Sequence, residues 1–513
     1  MKLITITDRI LEENKEKNTL FVGRSPEYFF EMFAKYPNMK RPIAILDSNP
    51  RKWGMCKVMG KEIPVYGLTY LESIDLTNVL IVITDDYYKE YFKKLQSMMA
   101  AEGEIQCVYF FPNTETSYEL EYRRKYEYVS LENILVFRSG PHASAYVKGM
   151  DFSDNARALF EYALSICLNE KYELIWIVNN PKEFEAYKKY RNVSFLPYEA
   201  SVSEDKSIRD EYYRVLCLAK FFFFTDAYGF VRNCRSDQVR VQLWHGCGYK
   251  KRLSRVACKS RYDYMTVTSD LYARLHAWEF GLRSDQMLVT GNPKTDWLFE
   301  DGNIWGKLLN IPMAQKYIFW LPTYRFSEKS YEKPIDGRLS EKTGLPLISS
   351  IDELYIVNEI LIRHDVVLVL KLHPFQDRSI VNVKGFSNIV LLDNKTLIDC
   401  DIQINQLLGM ADALISDYSS TAVDYLILDR PMAFTINDLG DYDTRRGFIF
   451  DDIKSFLPGY LISTVDEFMC FVEEVVCGKD SMAEKRKDIL KKFHKNVDKN
   501  SCKRVMKTLG IEE

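Results

Sequence analysis

Short runs rich in Val, Ile, Leu and Phe recur along the whole chain, separated by longer stretches with helical spacing. They fall at residues 19–23 (TLFVG), 42–47 (PIAILD), 78–84 (NVLIVIT), 132–137 (ENILVF), 173–179 (ELIWIVN), 221–226 (FFFFTD), 238–244 (QVRVQLW), 316–322 (KYIFWLP), 365–374 (DVVLVLKLHP) and 411–417 (ADALISD). The runs are continuous rather than alternating between polar and apolar positions. A strand with this pattern is buried on both faces, which places it in a parallel sheet covered by helices on either side. The chain therefore reads as α/β throughout, and its 513 residues suffice for three such units at roughly 150 residues each.

The first unit, residues 1–125, reads as a small Rossmann-like domain in which Gly23 ends one strand, Asp47 ends the next and KEIPVYGLTYLES (61–73) leads into a helix. A dinucleotide fingerprint needs three glycines, for the tight turn, the phosphate approach and the helix packing, and FVGRSPEYFF (21–30) supplies only the first. A structural or partner-binding role is therefore favoured over a nucleotide site. The order Gly23, Asp47-Ser48-Asn49-Pro50, Ile63-Pro64-Val65 resembles the small nucleotide-binding-like modules ahead of some sugar-modifying enzymes. The charged stretch YELEYRRKYEYVSLEN (118–133) reads as a linker helix. Two further α/β units, 126–305 and 306–513, are expected to face each other across a cleft, the architecture called GT-B.

Composition narrows the class. Apolar residues at 47% and charged residues at 27% describe a folded globular protein, and a net charge of -3 gives no overall pull towards nucleic acid. The 11 cysteines are scattered without a CxxC pair, which predicts reduced thiols rather than a zinc site or a disulfide framework. MKLITITDRILEENKEKN lacks a basic segment followed by an apolar one, and the apolar runs fall short of a membrane span. The expected location is cytoplasmic, with peripheral membrane contact at most.

Two of the six histidines follow strand-like runs, in QLW-His245-Gly246 and LKL-His373-Pro374. Ligands of α/β proteins bind at strand ends, a glycine there admits a substrate close to the backbone, and a proline stops the strand. In LISDYSSTAVDYLILDRP (414–431) a strand ends at Asp417 and a helix starts at Ser419-Ser420-Thr421. Unsatisfied N–H groups, the positive end of the helix dipole and the hydroxyls converge there, which suits phosphate; taken alone, the same residues make an ordinary serine cap. Asp424, one turn further, cannot bind phosphate and suits a sugar or polyol hydroxyl. LPTYRF (321–326) ends a strand with Thr323 and Arg325, whose guanidinium can clamp a phosphate. TGNPKTDW (290–297) is a turn carrying Lys294 and Asp296, and GYKKRLSRVACKSR (248–261) holds six basic residues, led by Lys250 and Lys251, and no acid. Such a run is usually a solvated face, but beside His245 it can receive an anionic acceptor.

The ordered set Trp244-His245-Gly246 with Lys250 and Lys251, GNPKTD (291–296), LPTYR (321–325), KLHP (371–374), ADALISDYSS (411–420), VDYL (423–426), RPMAF (430–434) and RRGFIFD (445–451) resembles the CDP-glycerol glycerophosphotransferase family of teichoic-acid and capsule synthesis, over about residues 130–500. The resemblance implies a GT-B, metal-independent, cofactor-free bacterial enzyme at the cytoplasmic face of the membrane. Such an enzyme moves glycerol phosphate or ribitol phosphate from CDP-glycerol or CDP-ribitol to a lipid-linked or polysaccharide acceptor and releases CMP. It implies His245 and His373 as the essential histidines, a donor site at Thr323, Arg325, Asp417, Ser419, Ser420 and Asp424, and an acceptor side at Lys250, Lys251 and Lys294. Two departures fall on that acceptor side. Cys247-Gly248 stands where the family usually has Thr-Pro, and Lys294 where it usually has Arg. The other readings are a GT-B glycosyltransferase or nucleotide-sugar epimerase and, from another class, an inactive scaffold whose first domain docks a partner.

Two flanking stretches add expectations. Residues 326–346 read as a polar acceptor loop following a site strand. Residues 483–510 carry ten Lys/Arg against three Asp/Glu, with Ile489, Leu490, Phe493 and Val497 on one helix face. That face either packs on the neighbouring unit or rests on an anionic membrane.

Overall fold

A computed structural model describes residues 2–23, 29, 32–33, 36–47, 53–58, 61–84, 88–98, 106–109, 117–140, 149–203, 205–225, 235–251, 262–300, 304–308, 310–323, 343, 345–372, 381 and 383–512. The first sheet is formed by β1 (Lys2–Thr5), β2 (Asn18–Val22), β3 (Ala44–Leu46), β4 (Gly54–Val58), β5 (Lys61–Tyr66), β6 (Val79–Ile83) and β7 (Gln106–Tyr109), in the order β1-β7-β6-β2-β3-β5-β4. Only the β4–β5 pair is antiparallel. The second contains β8 (Glu132–Arg138), β9 (Glu173–Val178), β10 (Val193–Pro197), β11 (Ala219–Phe224), β12 (Val239–Gln242), β13 (Tyr264–Val267) and β14 (Met287–Val289), ordered β10-β9-β8-β11-β12-β13-β14. The third holds β15 (Lys316–Trp320), β16 (Val366–Leu370), β17 (Ile389–Leu391), β18 (Ala413–Ser416), β19 (Met432–Thr435) and β20 (Tyr460–Ile462), ordered β17-β16-β15-β18-β19-β20. Every pairing in these last two sheets is parallel.

The continuous apolar runs become the central strands because only a residue flanked by helices on both faces can stay apolar at every position. Strands β6, β16 and β18 are buried along their whole length. Strand order reverses between β8 and β11 in the second sheet and between β15 and β18 in the third. These switch points open crevices at the carboxyl ends of the strands, where α/β proteins bind ligands.

The second and third sheets share one apolar core. A single cluster runs from Tyr122 through Met265 and Tyr272 to Phe434 and Phe493. The first sheet has two clusters of its own, confined to residues 6–108. The helix Ser117–Tyr126, expected as a linker, belongs with the second sheet: Tyr122 stacks on Tyr213 at 4.5 Å, and its hydroxyl donates to Asp210. The chain also crosses back at its end. Cys502, Val505 and Met506 of the helix Ser501–Thr508 lie in a core with Leu135, Trp176 and Phe223 of the second sheet. Asp296 caps that helix, accepting from the N–H groups of Ser501 and Cys502 at 2.8 Å each, so this motif residue is structural.

The helix Ala483–Phe493 uses its apolar face inside the protein. Ile489 and Phe493 are buried in the shared core and Leu490 packs against it. Among the described residues no helix is long and apolar enough to cross a membrane.

Candidate active site

Between the second and third sheets lies a cleft of about 650 Å³ whose walls come from both. On one side the chain leaves β12 into a loop with two left-handed residues, Trp244 (φ +51) and Gly246 (φ +118). A Cβ at 246 would meet Asn292 and Asp424 only at ordinary contact distance, 3.5 and 3.6 Å, so it is the backbone conformation that calls for glycine. Gly248 meets the other half directly, since an added Cβ would come within 3.1 Å of Ser420 Cβ. Cys247 is buried, with its thiol pushed up to about 12 by that burial, and Gly248 lets the loop lie on the start of the opposing helix.

His245 stands half exposed in this cleft, with Nδ1 2.9 Å from Asp154 Oδ2. Asp154 opens the helix Asp154–Ser165 in a left-handed conformation (φ +62). The neighbouring Asn155 donates to the carbonyls of Leu243 and Trp244, at 3.2 and 2.9 Å, and accepts from the Lys294 N–H at 3.0 Å. Lys294 Nζ lies 3.1 Å from Asp154, 3.4 Å from Asp424 and 2.5 Å from the His245 carbonyl. Burial alone would raise the Asp154 carboxyl, but Lys294 and His245 hold it well below the usual carboxylate range. Burial likewise opposes the charge on Lys294, yet Asp154 and Asp424 push it above the ordinary lysine value. Burial raises Asp424 against the pull of Lys294 and of Asn292, which donates to it at 3.3 Å.

The opposite wall is built from the ends of β15 and β18. Asp417, fully buried, accepts from the Thr323 backbone N–H at 2.9 Å and from its hydroxyl at 2.8 Å. Ser419 caps the helix Ser420–Tyr425, accepting from the Thr421 N–H at 3.3 Å. The two walls are stitched together just beyond the histidine. The Ile449 N–H donates to the Tyr249 carbonyl at 2.8 Å, the Lys251 N–H to the Gly447 carbonyl at 3.1 Å, and the Arg446 guanidinium to the Lys251 carbonyl. The WHG…KK and RRGFIFD segments are thus the two sides of one seam.

Of the residues singled out in the sequence, His245, Lys250, Lys251, Lys294, Thr323, Ser419 and Ser420 line the cleft. Lys250 sits over the Tyr442 ring at 5.7 Å. Three assignments need a different physical reading. Lys294 was expected to meet an acceptor, but its ammonium is enclosed by two carboxylates and a carbonyl. Asp417 and Asp424 were expected to touch the donor, but both are fully buried behind the wall, where Asp417 shapes the Thr323 turn and Asp424 faces Lys294. Arg325, His373 and nearly all of the expected acceptor loop at 326–346 lie outside the described residues.

Sequence reasoning gave no role to Asp154 or to the cleft-lining His276, and it held Asn292, Lys371 and Arg446 only as members of the GNPKTD, KLHP and RRGFIFD motifs. Asp154 carried no signal beyond a Ser153-Asp154 helix start, because its partner lies 91 positions away. Lys371, buried beside the cleft and donating to the Leu372 carbonyl at 2.9 Å and to Asn394, was readable only as part of the KLHP motif.

A family model described as CDP-Glycerol:Poly(glycerophosphate) glycerophosphotransferase matches residues 133–510. The teichoic acid ribitol-phosphate polymerase TarK of Staphylococcus aureus (strain NCTC 8325 / PS 47) is 27% identical over 382 residues, covering 70% of this chain and 67% of that protein. The teichoic acid glycerol-phosphate primase of Bacillus subtilis (strain 168) is 30% identical over 265 residues, covering 48% of this chain and 61% of that protein. The chain spans about half to two thirds of the length of the curated relatives it matches first. Among solved structures, that of the wall teichoic acid polymerase TagF superposes with a TM-score of 0.58 at 22% identity, covering 77% of this chain and 91% of that one. This likeness shows the fold: the second and third sheets form a GT-B-like pair.

Proposed function

Because the chain belongs to the CDP-glycerol:poly(glycerophosphate) glycerophosphotransferase family, we propose that it transfers a polyol phosphate from a CDP-polyol to a hydroxyl of a teichoic-acid or capsular acceptor, releasing CMP. The observation that carries this reading is the convergence of the ordered motifs on one cleft, with His245 on one wall and Thr323, Ser419 and Ser420 on the other.

In the reaction, His245 takes the proton of the acceptor hydroxyl as its oxygen attacks the distal phosphorus of the CDP-polyol. A new P–O bond forms, the bond to CMP breaks, and negative charge grows on the departing phosphate. The hydroxyls and first N–H groups at Ser419-Ser420 suit that charge, and His373 and Arg325 are assigned to it by family resemblance. Lys250, Lys251, Lys371 and Arg446 add fixed positive charge around the cleft, which supports a reaction that needs no divalent ion. The acceptor is a lipid-linked or polysaccharide chain, met at the cytoplasmic face of the membrane.

The test is CMP release from CDP-glycerol and CDP-ribitol in parallel, with a UDP-sugar as control and EDTA present in one arm. Turnover of either CDP-polyol in EDTA is expected. Turnover of the UDP-sugar alone would sink the reading, and loss in EDTA restored by Mg²⁺ would sink its metal-free form.

A further inference from the structure

We propose that Asp154 is the positioning residue for His245, fixing the imidazole with its proton on Nδ1 and its Nε2 lone pair towards the cleft, and that Lys294 makes this alignment depend on Asp424 from the opposing half. The role of His245 as base rests on the function proposed above; the alignment itself rests on geometry.

Both carboxylate oxygens of Asp154 are engaged, Oδ2 by His245 Nδ1 at 2.9 Å and Oδ1 by Lys294 Nζ at 3.1 Å. Lys294 holds that carboxylate ionised. An ionised carboxylate has no proton to donate, so the bond can form only with Nδ1–H as donor, which leaves Nε2 as the basic atom. The same division of labour, in which one ring nitrogen is tied to a carboxylate so that the other acts, recurs wherever an oriented imidazole serves as base.

The backbone points the same way. Asp154 (φ +62) and Trp244 (φ +51) are both left-handed, and neither is glycine. Such a residue persists where its surroundings over-determine it. Here Asn155 supplies that constraint, tying its own helix to the Leu243 and Trp244 carbonyls on one side and to the Lys294 N–H on the other. Strain in the histidine loop and strain at the carboxylate are thus held by one residue, and the product is a His–Asp contact.

Lys294 extends the arrangement across the cleft. Asp424 belongs to the helix Ser420–Tyr425 of the third-sheet half and approaches the ammonium at 3.4 Å. Without Lys294, two buried carboxylates would lose the cation they share, and a buried charge that loses its ionic partner is strongly destabilised. Asp424 thus helps fix the position of the ammonium that holds Asp154 Oδ1, while the ionisation of Asp154 is set by Lys294 and His245 of its own half. Besides the tyrosines, the other titratable groups on the described cleft wall are Lys250, Lys251, His276, Glu279, Lys371 and Arg446.

The test uses the full chain labelled with ¹⁵N. Long-range proton–nitrogen correlation of the imidazole rings reports which nitrogen carries the proton, with the His245 signals identified by their loss in His245→Gln. The native chain is expected to show His245 protonated on Nδ1. Asp154→Gly accepts the left-handed backbone without strain, so it removes the carboxylate while relieving φ; it should lose that tautomer and lower kcat by about 10²–10⁴-fold with donor KM near native. Asp154→Asn, closer in shape, is the second variant and should also lower kcat. Asp424→Asn, which leaves the His245 ring contacts intact, should lower kcat by a smaller factor. An unchanged tautomer in Asp154→Gly, or native kcat in both Asp154 variants, overturns the positioning role. Native kcat in Asp424→Asn overturns the coupling across the cleft. If the tautomer responds as expected while no CDP-polyol releases CMP, the positioning stands and the proposed reaction falls.

Discussion

Strand β2 of the first sheet and strand β12 of the second are each followed by a left-handed glycine, Gly23 (φ +92) and Gly246 (φ +118). Around Gly23 the described bonds serve the backbone of one unit: the Thr84 hydroxyl donates to the Gly23 carbonyl at 2.9 Å, and the Trp53 indole to the Asp47 carbonyl at 2.9 Å. Around Gly246, buried charges arrive from separate segments and from both halves, with Asp154 and Lys294 on one side and Asp424 on the other. Gly23 directly follows its strand while Gly246 comes four residues after Gln242, but the larger difference lies in what faces them. A parallel sheet supplies the place for chemistry, and an opposing half supplies the groups that make it reactive.

The largest effect expected from this contrast is at His245. His245→Ala removes the proposed base, and CMP release should fall by about 10²–10⁴-fold with the melting temperature unchanged. Near-native turnover would place the chemistry elsewhere and erase the distinction between the two strand ends.

Equal cavities in the two regions should have unequal consequences. Phe493 is fully buried and packs its ring on Tyr272 at 5.2 Å and Phe450 at 5.8 Å, within the core shared by both halves. Phe493→Ala should cost about 3–5 kcal/mol and lower CMP release together with the melting temperature of the pair. Ile81 is also fully buried, but in the first sheet's own cluster. Ile81→Ala should cost about 2–5 kcal/mol there and leave CMP release per folded molecule intact. A chain lacking residues 1–116 should behave the same way; the cut falls before residue 117 because Tyr122 belongs to the second unit's core. Loss of turnover in Ile81→Ala while the rest stays folded would mean that the first sheet completes the site.

A smaller effect is expected from acid. His494 is buried where the two halves meet, its Nε2–H donating to the Val423 carbonyl at 2.7 Å, and burial pushes it down to about 4. The unfolded chain takes up a proton near the ordinary value of 6.5 while the folded chain resists until about 4. Stability from this group is therefore complete above pH 6.5 and is lost as the pH falls towards 4, by about 3 kcal/mol at most. His494→Gln, which can still donate to Val423, should flatten the fall in melting temperature across that window. An unflattened slope would assign the acid sensitivity to other groups.

The fold was legible from the sequence because each continuous apolar run is a central strand; all ten of the runs named from the sequence are strands in the structure. The strands that were missed are short, and several are half-exposed: β10 has no fully buried residue, β17 and β20 have one each, and all three lie at sheet edges. An edge strand has one neighbour and need not be uniformly apolar, so its pattern fades into the loops around it. Within the site, His245 and Ser419-Ser420 were legible because strand ends and helix starts have local signatures. The contact between Lys294 and Asp424 was not, since residues 130 positions apart leave no spacing to read. A buried cation and a surface cation look identical in sequence. Only the arrival of Asp154 and Asp424 makes Lys294 the buried kind.

The smallest expected effect concerns the basic end of the chain, where the same distinction between enclosed and open cations decides the outcome. On the helix Ala483–Phe493, Arg486 is enclosed, donating to Asp429 at 2.8 Å and Asp480 at 2.6 Å, and the apolar face is in the core. Lys491 and Lys495, by contrast, are 79% and 56% exposed and line a groove with Arg274 and Lys492. With no free apolar face, this helix cannot insert, so any attachment to an anionic leaflet is electrostatic and contributes about 1 kcal/mol per basic residue near the surface. Sedimentation with anionic vesicles should therefore weaken in Lys491→Gln/Lys492→Gln/Lys495→Gln, weaken further with added salt, and be absent on neutral vesicles. CMP release from a soluble acceptor should not change, because none of the three lysines lines the cleft of the candidate site. Equal pelleting of native and triple-variant chains would remove this groove as the contact.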